Sequence, residues 1–122
     1  MLPKGLELIV GVQVDPRLGP MVLLGMGGIL VEIFRDTVLY PAPVSIQEAH
    51  WMIRSLKSYP LLKGYRGGER LDIEALAETI ASISAFAAEN RNRIAEVEIN
   101  PLFVYEKGEG VAAADGLVIL QD

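Results

Sequence analysis

The sequence predicts one domain of the α/β class, an α+β sandwich with a mostly antiparallel sheet and two helices. Stretches in which apolar and polar residues alternate, as in strands, are separated by clusters of turn formers. Two other stretches have apolar residues at helical spacing, each after a capping residue. The 122 residues, 51% of them hydrophobic, suffice for one core, and no repeat or linker divides them. We therefore expect a single domain over residues 1–122.

The first third of the chain predicts a series of short strands. Residues 6–15 alternate regularly, with apolar residues on one side and polar residues such as Glu7 on the other. Turn-forming residues follow, and residues 21–25 return as a second strand, which predicts a hairpin. Residues 29–34 and 37–40 then predict two further strands on either side of a short turn.

Two helices are predicted in the middle of the chain. Ser45 and Glu48 have the spacing of a capping box and begin a helix over residues 45–58. Its apolar stripe consists of Ile46, Ala49, Ile53 and Leu56. A loop follows at residues 61–68, and Asp72 then caps a longer helix that is expected to cover one side of the sheet.

The most informative stretch is the strand predicted over residues 94–105, because it contains an acid, an amide and a proline. Strict alternation places Val97, Ile99 and Phe103 on one face and Glu96, Glu98 and Asn100 on the other. Glu98 and Asn100 are about 7 Å apart at Cα, given a rise of roughly 3.3 Å per residue. Their side chains can close that span onto one ion, and a hard cation such as Mg²⁺ prefers oxygen ligands of this kind.

A second strand offers a third ligand. A hairpin about Gly108 joins the first strand to the apolar segment 111–120 and places Asp115 opposite residues 100–102. A slip of one residue in the register would turn Asp115 to the wrong face. The pattern permits a metal site formed by Glu98, Asn100 and Asp115. The same pattern is also typical of polar residues on a solvated sheet face.

Two loops contain residues that suit ligand contacts. The glycine cluster at residues 25–28 includes Gly27 and Gly28 and permits a ligand to approach the backbone closely. Its spacing is not that of a dinucleotide fingerprint or a P-loop, and a flexible strand connection would explain it as well. Arg66, in the loop at 61–68, has a planar fork that can bind a carboxylate or phosphate. An ion pair with a nearby acid is the alternative for Arg66.

Composition excludes several classes of protein. Eleven basic against sixteen acidic residues give a net charge of −5, which argues against a nucleic-acid surface. The absence of cysteine excludes disulfides, thiolate metal sites and a cysteine nucleophile. No apolar run has the roughly 20 residues of a membrane span, and the N-terminus lacks a signal-peptide core, so we expect a cytoplasmic protein. His50, the only histidine, is expected to have a structural role.

Several motifs together resemble one enzyme family. The sequence EINPL at residues 98–102, followed by Asp-Gly at 115–116 on the next strand, is similar to the end of the ATP-grasp subunit of succinyl-CoA synthetase and of the NDP-forming acyl-CoA synthetases. DPRLGP at residues 15–20 and GMGG at 25–28 follow the order found in that family. GYRG at residues 64–67 resembles a further recurring element. The resemblance covers nearly the whole chain.

This resemblance implies the C-terminal lobe of an ATP-grasp fold that binds Mg²⁺ and ATP or ADP. The matching acid, amide and acid hold the Mg²⁺ of the nucleotide in that family, so the implied metal ligands are Glu98, Asn100 and Asp115. The residues assigned to nucleotide binding are Glu7, Gly27, Gly28 and Arg66. The implied partners are the remaining ATP-grasp lobe, which would precede Met1, and CoA-binding domains in the same chain or a partner subunit.

The activity implied by the family is the interconversion of acyl-CoA, ADP and phosphate with acid, CoA and ATP. The isolated chain is expected to be inactive, because the ATP-grasp lysine and the adenine-binding hinge belong to the other lobe. Leu117 departs from the family pattern, since the succinyl-CoA synthetase branch commonly has lysine there. An alternative is a regulatory domain of the kind fused to protein lysine acetyltransferases, and a third possibility is a module that senses CoA or nucleotide.

Overall fold

A computed structural model of the protein describes residues 5–27, 36–64 and 70–122. The strands are β1 (Leu6–Asp15), β2 (Gly19–Met26), β3 (Thr37–Pro41), β4 (Ile94–Val104), β5 (Val111–Ala113) and β6 (Gly116–Leu120). The helices are α1 (Ile46–Ser55), α2 (Tyr59–Leu62) and α3 (Ile73–Glu89). The strand predicted over residues 29–34 lies outside the described residues, as do Gly28 and Arg66.

The described strands form one antiparallel sheet in the order β3, β2, β1, β4, and both β5 and β6 pair with the remaining side of β4. β1 and β2 form the predicted hairpin. In its turn, Asp15 Oδ1 accepts hydrogen bonds from the backbone N–H of Leu18 at 2.9 Å and of Arg17 at 2.7 Å. These two donors hold the pKa of Asp15 below its ordinary value. The predicted fold class, with its mostly antiparallel sheet, is confirmed.

The core lies between one face of the sheet and the two longer helices. Its fully buried members include Leu8, Val10, Val22 and Leu24 from the strands, Met52 and Ile53 from α1, and Leu76 and Ile80 from α3. In the described part of the chain, no helix covers the other face of the sheet. We call that face the open face; it bears the side chains of Glu7, Gln13, Glu96 and Glu98 and the backbone of Gly11.

The helical region after β3 is divided, unlike its prediction. The capping box forms, because the Ser45 hydroxyl accepts from the Glu48 N–H at 3.0 Å and Glu48 Oε1 accepts from the Ser45 N–H at 2.9 Å. The helix ends at Ser55, and a second short helix begins at Tyr59. Pro60 lies in the first turn of that helix, where a missing N–H costs little. The predicted helix is therefore confirmed at its start, but it ends at Ser55 rather than Ser58, and the short helix α2 after it was not predicted.

Two apolar residues of this region also differ from the prediction. Ile46, assigned to the apolar stripe, is 44% exposed, and Met52 is buried instead. Leu62 was expected in a loop, but it lies at the end of α2 and is fully buried. Local spacing alone does not specify which positions of a helix are buried against the sheet.

Asp36 is a buried acid that joins the helical region to the sheet. Its carboxylate accepts hydrogen bonds from the N–H of Lys57 at 2.6 Å and of Ser58 at 2.8 Å, and from the Ser58 hydroxyl. Its carbonyl accepts from the Met26 N–H at 3.1 Å. One residue thus fixes the link between α1 and α2 against the end of β2.

The two longer helices also pack on each other. His50 Nε2 lies 3.0 Å from Glu74 Oε2, which joins α1 to the first turn of α3. This contact agrees with the structural role expected for the histidine. No helix in the described residues is long and apolar enough to cross a membrane.

Asp72 does more than cap α3. One carboxylate oxygen accepts from the N–H of Ala75 at 3.1 Å, and the other accepts from those of Gly110 at 2.8 Å and Gly108 at 3.1 Å. The hairpin between β4 and β5 is therefore fixed to the start of the helix. Burial raises the pKa of Asp72, but these three N–H groups and the charge of Lys107 outweigh burial, so the pKa is lowered.

Asp72→Ala should lower the free energy of unfolding by about 1–2 kcal/mol at pH 7, because the cap and two hairpin contacts are lost. A lowered folded-state pKa means that this stabilisation is present above the unfolded pKa of about 3.9 and is lost as pH falls through the folded value. Urea unfolding of the variant and the original chain at a series of pH values should show curves that converge in acid. Asp122→Ala, at an exposed aspartate, is the control, and a difference that persists undiminished at low pH would contradict the prediction.

Candidate metal site

β4 carries two of the three candidate ligands, Glu98 and Asn100, and changes its alternation partway along. Its first part pairs Val10 of β1 with Ile99, and its last part pairs Leu8 with Leu102. Two steps along β1 thus correspond to three steps along β4, so β4 contains one extra residue at Asn100 and Pro101, as in a β-bulge. The peptide bond between these two residues is cis.

The bulge corrects one prediction about faces. Val97 and Ile99 face the core side, as predicted, but Leu102 and Val104 continue that side after the bulge. Phe103 was expected on the core side and instead lies on the open face, opposite Glu7. Strict alternation fails here because the extra residue reverses the order of inward and outward side chains.

Asp115 lies across from the bulge. The Asn100 N–H donates to the Asp115 carbonyl at 3.2 Å, and the Ala114 N–H donates to the Pro101 carbonyl at 3.1 Å. The predicted register, with Asp115 opposite residues 100–102, is confirmed. Asp115 also separates β5 from β6, and its Oδ1 accepts from the Gly116 N–H at 2.9 Å. Asn100 and Asp115 are both exposed.

The three candidate ligands therefore surround one irregular point of the sheet. Glu98 lies two residues before Asn100 on the open face, and Asp115 lies on the neighbouring segment. Their side chains offer only oxygen donors, which suits a hard cation. Among the described residues, no group of three or more His, Cys, Asp or Glu side chains is placed to hold a metal ion. A site here would thus need the Asn100 amide as a ligand.

Two of the residues assigned to nucleotide binding also meet in the structure. The Gly27 N–H donates to the Glu7 carbonyl at 2.9 Å. A Cβ atom on Gly27 would lie 3.3 Å from that same carbonyl group, so glycine permits this close approach. Glu7 lies on the open face and is half-buried. The other two assigned residues are outside the described part of the chain.

A shallow cavity of about 140 Å³ lies on the open face beside Glu98. Gly11 is opposite both Glu98 and Leu23 in the sheet, and because it has no side chain it leaves a depression between them. The apolar wall is formed by Met21, Leu23 and Leu39, of which Leu39 is 61% exposed. Sequence reasoning did not single out these residues, although a glycine inside a strand is a signal for close approach of a ligand or backbone.

Tyr105 was also missed as a residue of interest. Its ring stacks on Phe103, with centroids 6.4 Å apart, and packs against the backbone of Gly5. The side chain is buried, and its hydroxyl has no hydrogen-bond partner among the described residues. It lies beyond Phe103, at the end of the open face that carries Glu7.

Comparison with known proteins adds the following findings. A family model described as an ATP-grasp domain matches residues 1–120. The chain is 40% identical over 121 residues to the acetate–CoA ligase [ADP-forming] II subunit beta of Pyrococcus furiosus, covering 99% of this chain and 51% of that subunit. The chain spans about half the length of the curated subunits it matches.

Solved structures give the same picture of the fold. A crystal structure of a Pyrococcus horikoshii protein superposes with a TM-score of 0.93 at 38% identity, over 99% of this chain and 51% of the other. The dinucleotide-forming acetyl-coenzyme A synthetase 1 of Ca. Korarchaeum cryptofilum, in complex with coenzyme A and Mg-AMPPCP, superposes with a TM-score of 0.89. It is 40% identical, and the match covers 99% of this chain and 55% of that one. The relation to these proteins thus extends over nearly all of the chain described here.

Proposed function

The chain belongs to the ATP-grasp domain family, and from that premise we propose that it is the C-terminal, Mg²⁺-nucleotide-binding part of an NDP-forming acyl-CoA synthetase. The complete enzyme would interconvert acyl-CoA, ADP and phosphate with acid, CoA and ATP. Relatives with the names of ADP-forming acetate–CoA ligases support a ligase rather than a regulatory domain.

The observation that carries this proposal is the hydrogen bond of 3.2 Å between the Asn100 N–H and the Asp115 carbonyl. It places an amide and a carboxylate on adjacent segments, with the Glu98 carboxylate two residues away. These three residues would hold Mg²⁺ through oxygen atoms. The ion, when bound there, would neutralise charge on the phosphate oxygens during phosphoryl transfer.

Glu7 and Gly27 extend the proposed site along the open face. Glu7 and Gly11 are four residues apart on β1, or about 13 Å at the usual strand rise, and Gly11 is directly opposite Glu98. A nucleotide with its phosphate chain can bridge that distance. Gly27, which has no side chain, would let the phosphates approach the backbone, and Gly28 and Arg66 are proposed as further contacts.

Other parts of the enzyme would complete the site. Three oxygen ligands leave a Mg²⁺ shell unfinished, and this ion normally completes its shell with waters and substrate phosphates. The remaining ATP-grasp lobe would orient ATP, and CoA-binding domains would present the acyl group. We therefore propose that the 122-residue chain alone is inactive, because positioning supplies most of phosphoryl-transfer catalysis.

ATP formation from acetyl-CoA, ADP and phosphate is the assay that tests this function. The protein encoded by the complete gene, with any separately encoded partner subunit, should form ATP only when Mg²⁺, ADP and phosphate are all present. The 122-residue chain at the same concentration should form none, and its thermal transition should barely move with Mg²⁺ and ATP.

Two results would contradict the proposal in different ways. A complete protein that binds Mg²⁺ and ATP but forms no ATP from a panel of acyl-CoA thioesters would favour the regulatory alternative. Turnover by the 122-residue chain alone, or a large increase in its melting temperature with Mg²⁺ and ATP, would mean that the other lobe is not needed for the site.

A further inference from the structure

Among the described residues, Asp36 is the only acidic or basic residue that is buried. Its carboxylate accepts three hydrogen bonds, and all three donors belong to Lys57 and Ser58 in the link between α1 and α2. A buried carboxylate is tolerated when hydrogen bonds satisfy it, and bonds to a charged group are stronger than those between neutral groups. These three bonds therefore hold the backbone of Asp36 firmly in place.

The backbone of Asp36 in turn contacts the glycine cluster. Its carbonyl accepts from the Met26 N–H at 3.1 Å. A Cβ atom on Gly25 would lie 3.3 Å from the same carbonyl oxygen, so glycine permits this close approach. The residue after Met26 is Gly27, whose N–H donates to the Glu7 carbonyl at 2.9 Å. The described part of the cluster is thus fixed between β1 on one side and Asp36 on the other.

We propose that Asp36 is a positioning residue for the nucleotide site, because it holds the backbone at Gly27 where the phosphates approach. This inference rests on the proposed function, in which Gly27 and Glu7 are nucleotide contacts. The side chain of Asp36 is buried and bonded to the link between α1 and α2. Asp36 therefore acts through the backbone of Met26 and Gly27, not by touching the nucleotide itself.

A small displacement of this backbone is enough to affect the site. A misplacement of about 1 Å by a distant change can reduce a rate by about a hundredfold. A hydrogen bond to a charged group contributes enough to change an affinity by roughly tenfold or more. Loss of the Asp36 carboxylate should thus weaken nucleotide binding although no nucleotide contact is removed.

Asp36→Asn in the protein encoded by the complete gene should weaken binding of ADP in the presence of Mg²⁺ by roughly tenfold or more. Asparagine has the same size, but its NH₂ group would face a donor of Lys57 or Ser58, so the three bonds cannot all form. Titration calorimetry measures this affinity directly. The affinity of the same variant for CoA should stay within about twofold, because CoA-binding domains are expected to lie elsewhere.

Ser84→Ala is the matched control for loss of a buried polar group. Ser84 is fully buried on α3, and its hydroxyl accepts from the backbone N–H of Val44 at 2.9 Å. This variant should have a lower melting temperature but should bind ADP within about twofold of the original affinity. Ser58→Ala removes only one of the three donors to Asp36, so it is the milder variant if Asp36→Asn does not fold. It should weaken ADP binding by roughly threefold.

A double variant shows whether Asp36 acts through Gly27. Gly27→Ala places a Cβ atom 3.3 Å from the Glu7 carbonyl and should itself weaken ADP binding. Asp36→Asn added to Gly27→Ala should weaken binding further by less than about threefold, because both changes disturb the same backbone.

Three results would overturn the inference. They are ADP affinity within twofold of the original in Asp36→Asn, or in Ser58→Ala if Asp36→Asn does not fold; equal weakening in Ser84→Ala; and fully additive effects in the double variant with Gly27→Ala. A complete protein that shows the expected differences in ADP affinity but forms no ATP would contradict the proposed activity and not the role of Asp36.

Discussion

Asn100→Ala in the complete enzyme should lower the rate of ATP formation by about a hundredfold or more, while the protein remains folded. A bound metal ion stabilises a phosphoryl-transfer transition state by several kcal/mol, and each 1.4 kcal/mol corresponds to a factor of ten. Asn100 is exposed beside a bulge, so its side chain contributes little to the core. Asp115→Ala should have a similar effect for the same reason.

Matched variants separate this effect from general damage. Asn92→Ala, at an exposed asparagine just before β4, and Asp122→Ala, at an exposed aspartate just after β6, should keep full activity. The Mg²⁺ concentration that gives half-maximal rate should rise for Asn100→Ala and Asp115→Ala but not for these controls. Full activity in both site variants would exclude the metal assignment.

Leu102→Asp and Phe103→Asp should differ sharply in stability, although the two residues are neighbours. Leu102 is 1% exposed in the core, so an aspartate there would bury an unpaired charge and cost several kcal/mol, a large part of a total stability of about 5–15 kcal/mol. Phe103 lies on the open face and is half-buried, so its replacement should cost roughly 1–2 kcal/mol.

Thermal and urea unfolding followed by circular dichroism would measure both variants. We expect Leu102→Asp to be unfolded or aggregated and Phe103→Asp to unfold cooperatively at a moderately lower midpoint. The opposite order would show that β4 alternates without interruption and that the bulge at Asn100 and Pro101 does not exist.

Local patterns in the sequence were sufficient for the regular elements. β1 has the bounds that its alternation predicts, and α3 begins after its predicted cap, Asp72. The register of Asp115 could be predicted to within one residue from the hairpin about Gly108, and the structure places Asp115 opposite Asn100. These features depend on residues close together in the chain, so sequence spacing contains the needed information.

The remaining features depend on contacts between distant segments. The reversed position of Phe103 follows from an extra residue relative to β1, about 90 residues earlier, which alternation within β4 does not reveal. An interruption at Asp115, which lies across from that bulge, divides a predicted continuous strand into β5 and β6. The cavity at Gly11 likewise depends on the alignment of four strands, β1 to β4. The metal ligands themselves were suggested by the spacing of oxygen-bearing side chains together with family resemblance, and their role stays a prediction.

The core does not require the full length of β4. Without Pro101, the residues before and after it would alternate continuously, with Ile99 and Leu102 still directed inward. The core therefore does not need this residue. A shortened β4 would, however, no longer match the segment that contains Asp115. The pairs Ile99–Gly116 and Leu102–Ala113 are separated by the same number of residues on both segments, so the loss of one residue from β4 would shift Asn100 relative to Asp115. The additional length of β4 thus serves the alignment of Asn100 with Asp115 rather than the packing of the core.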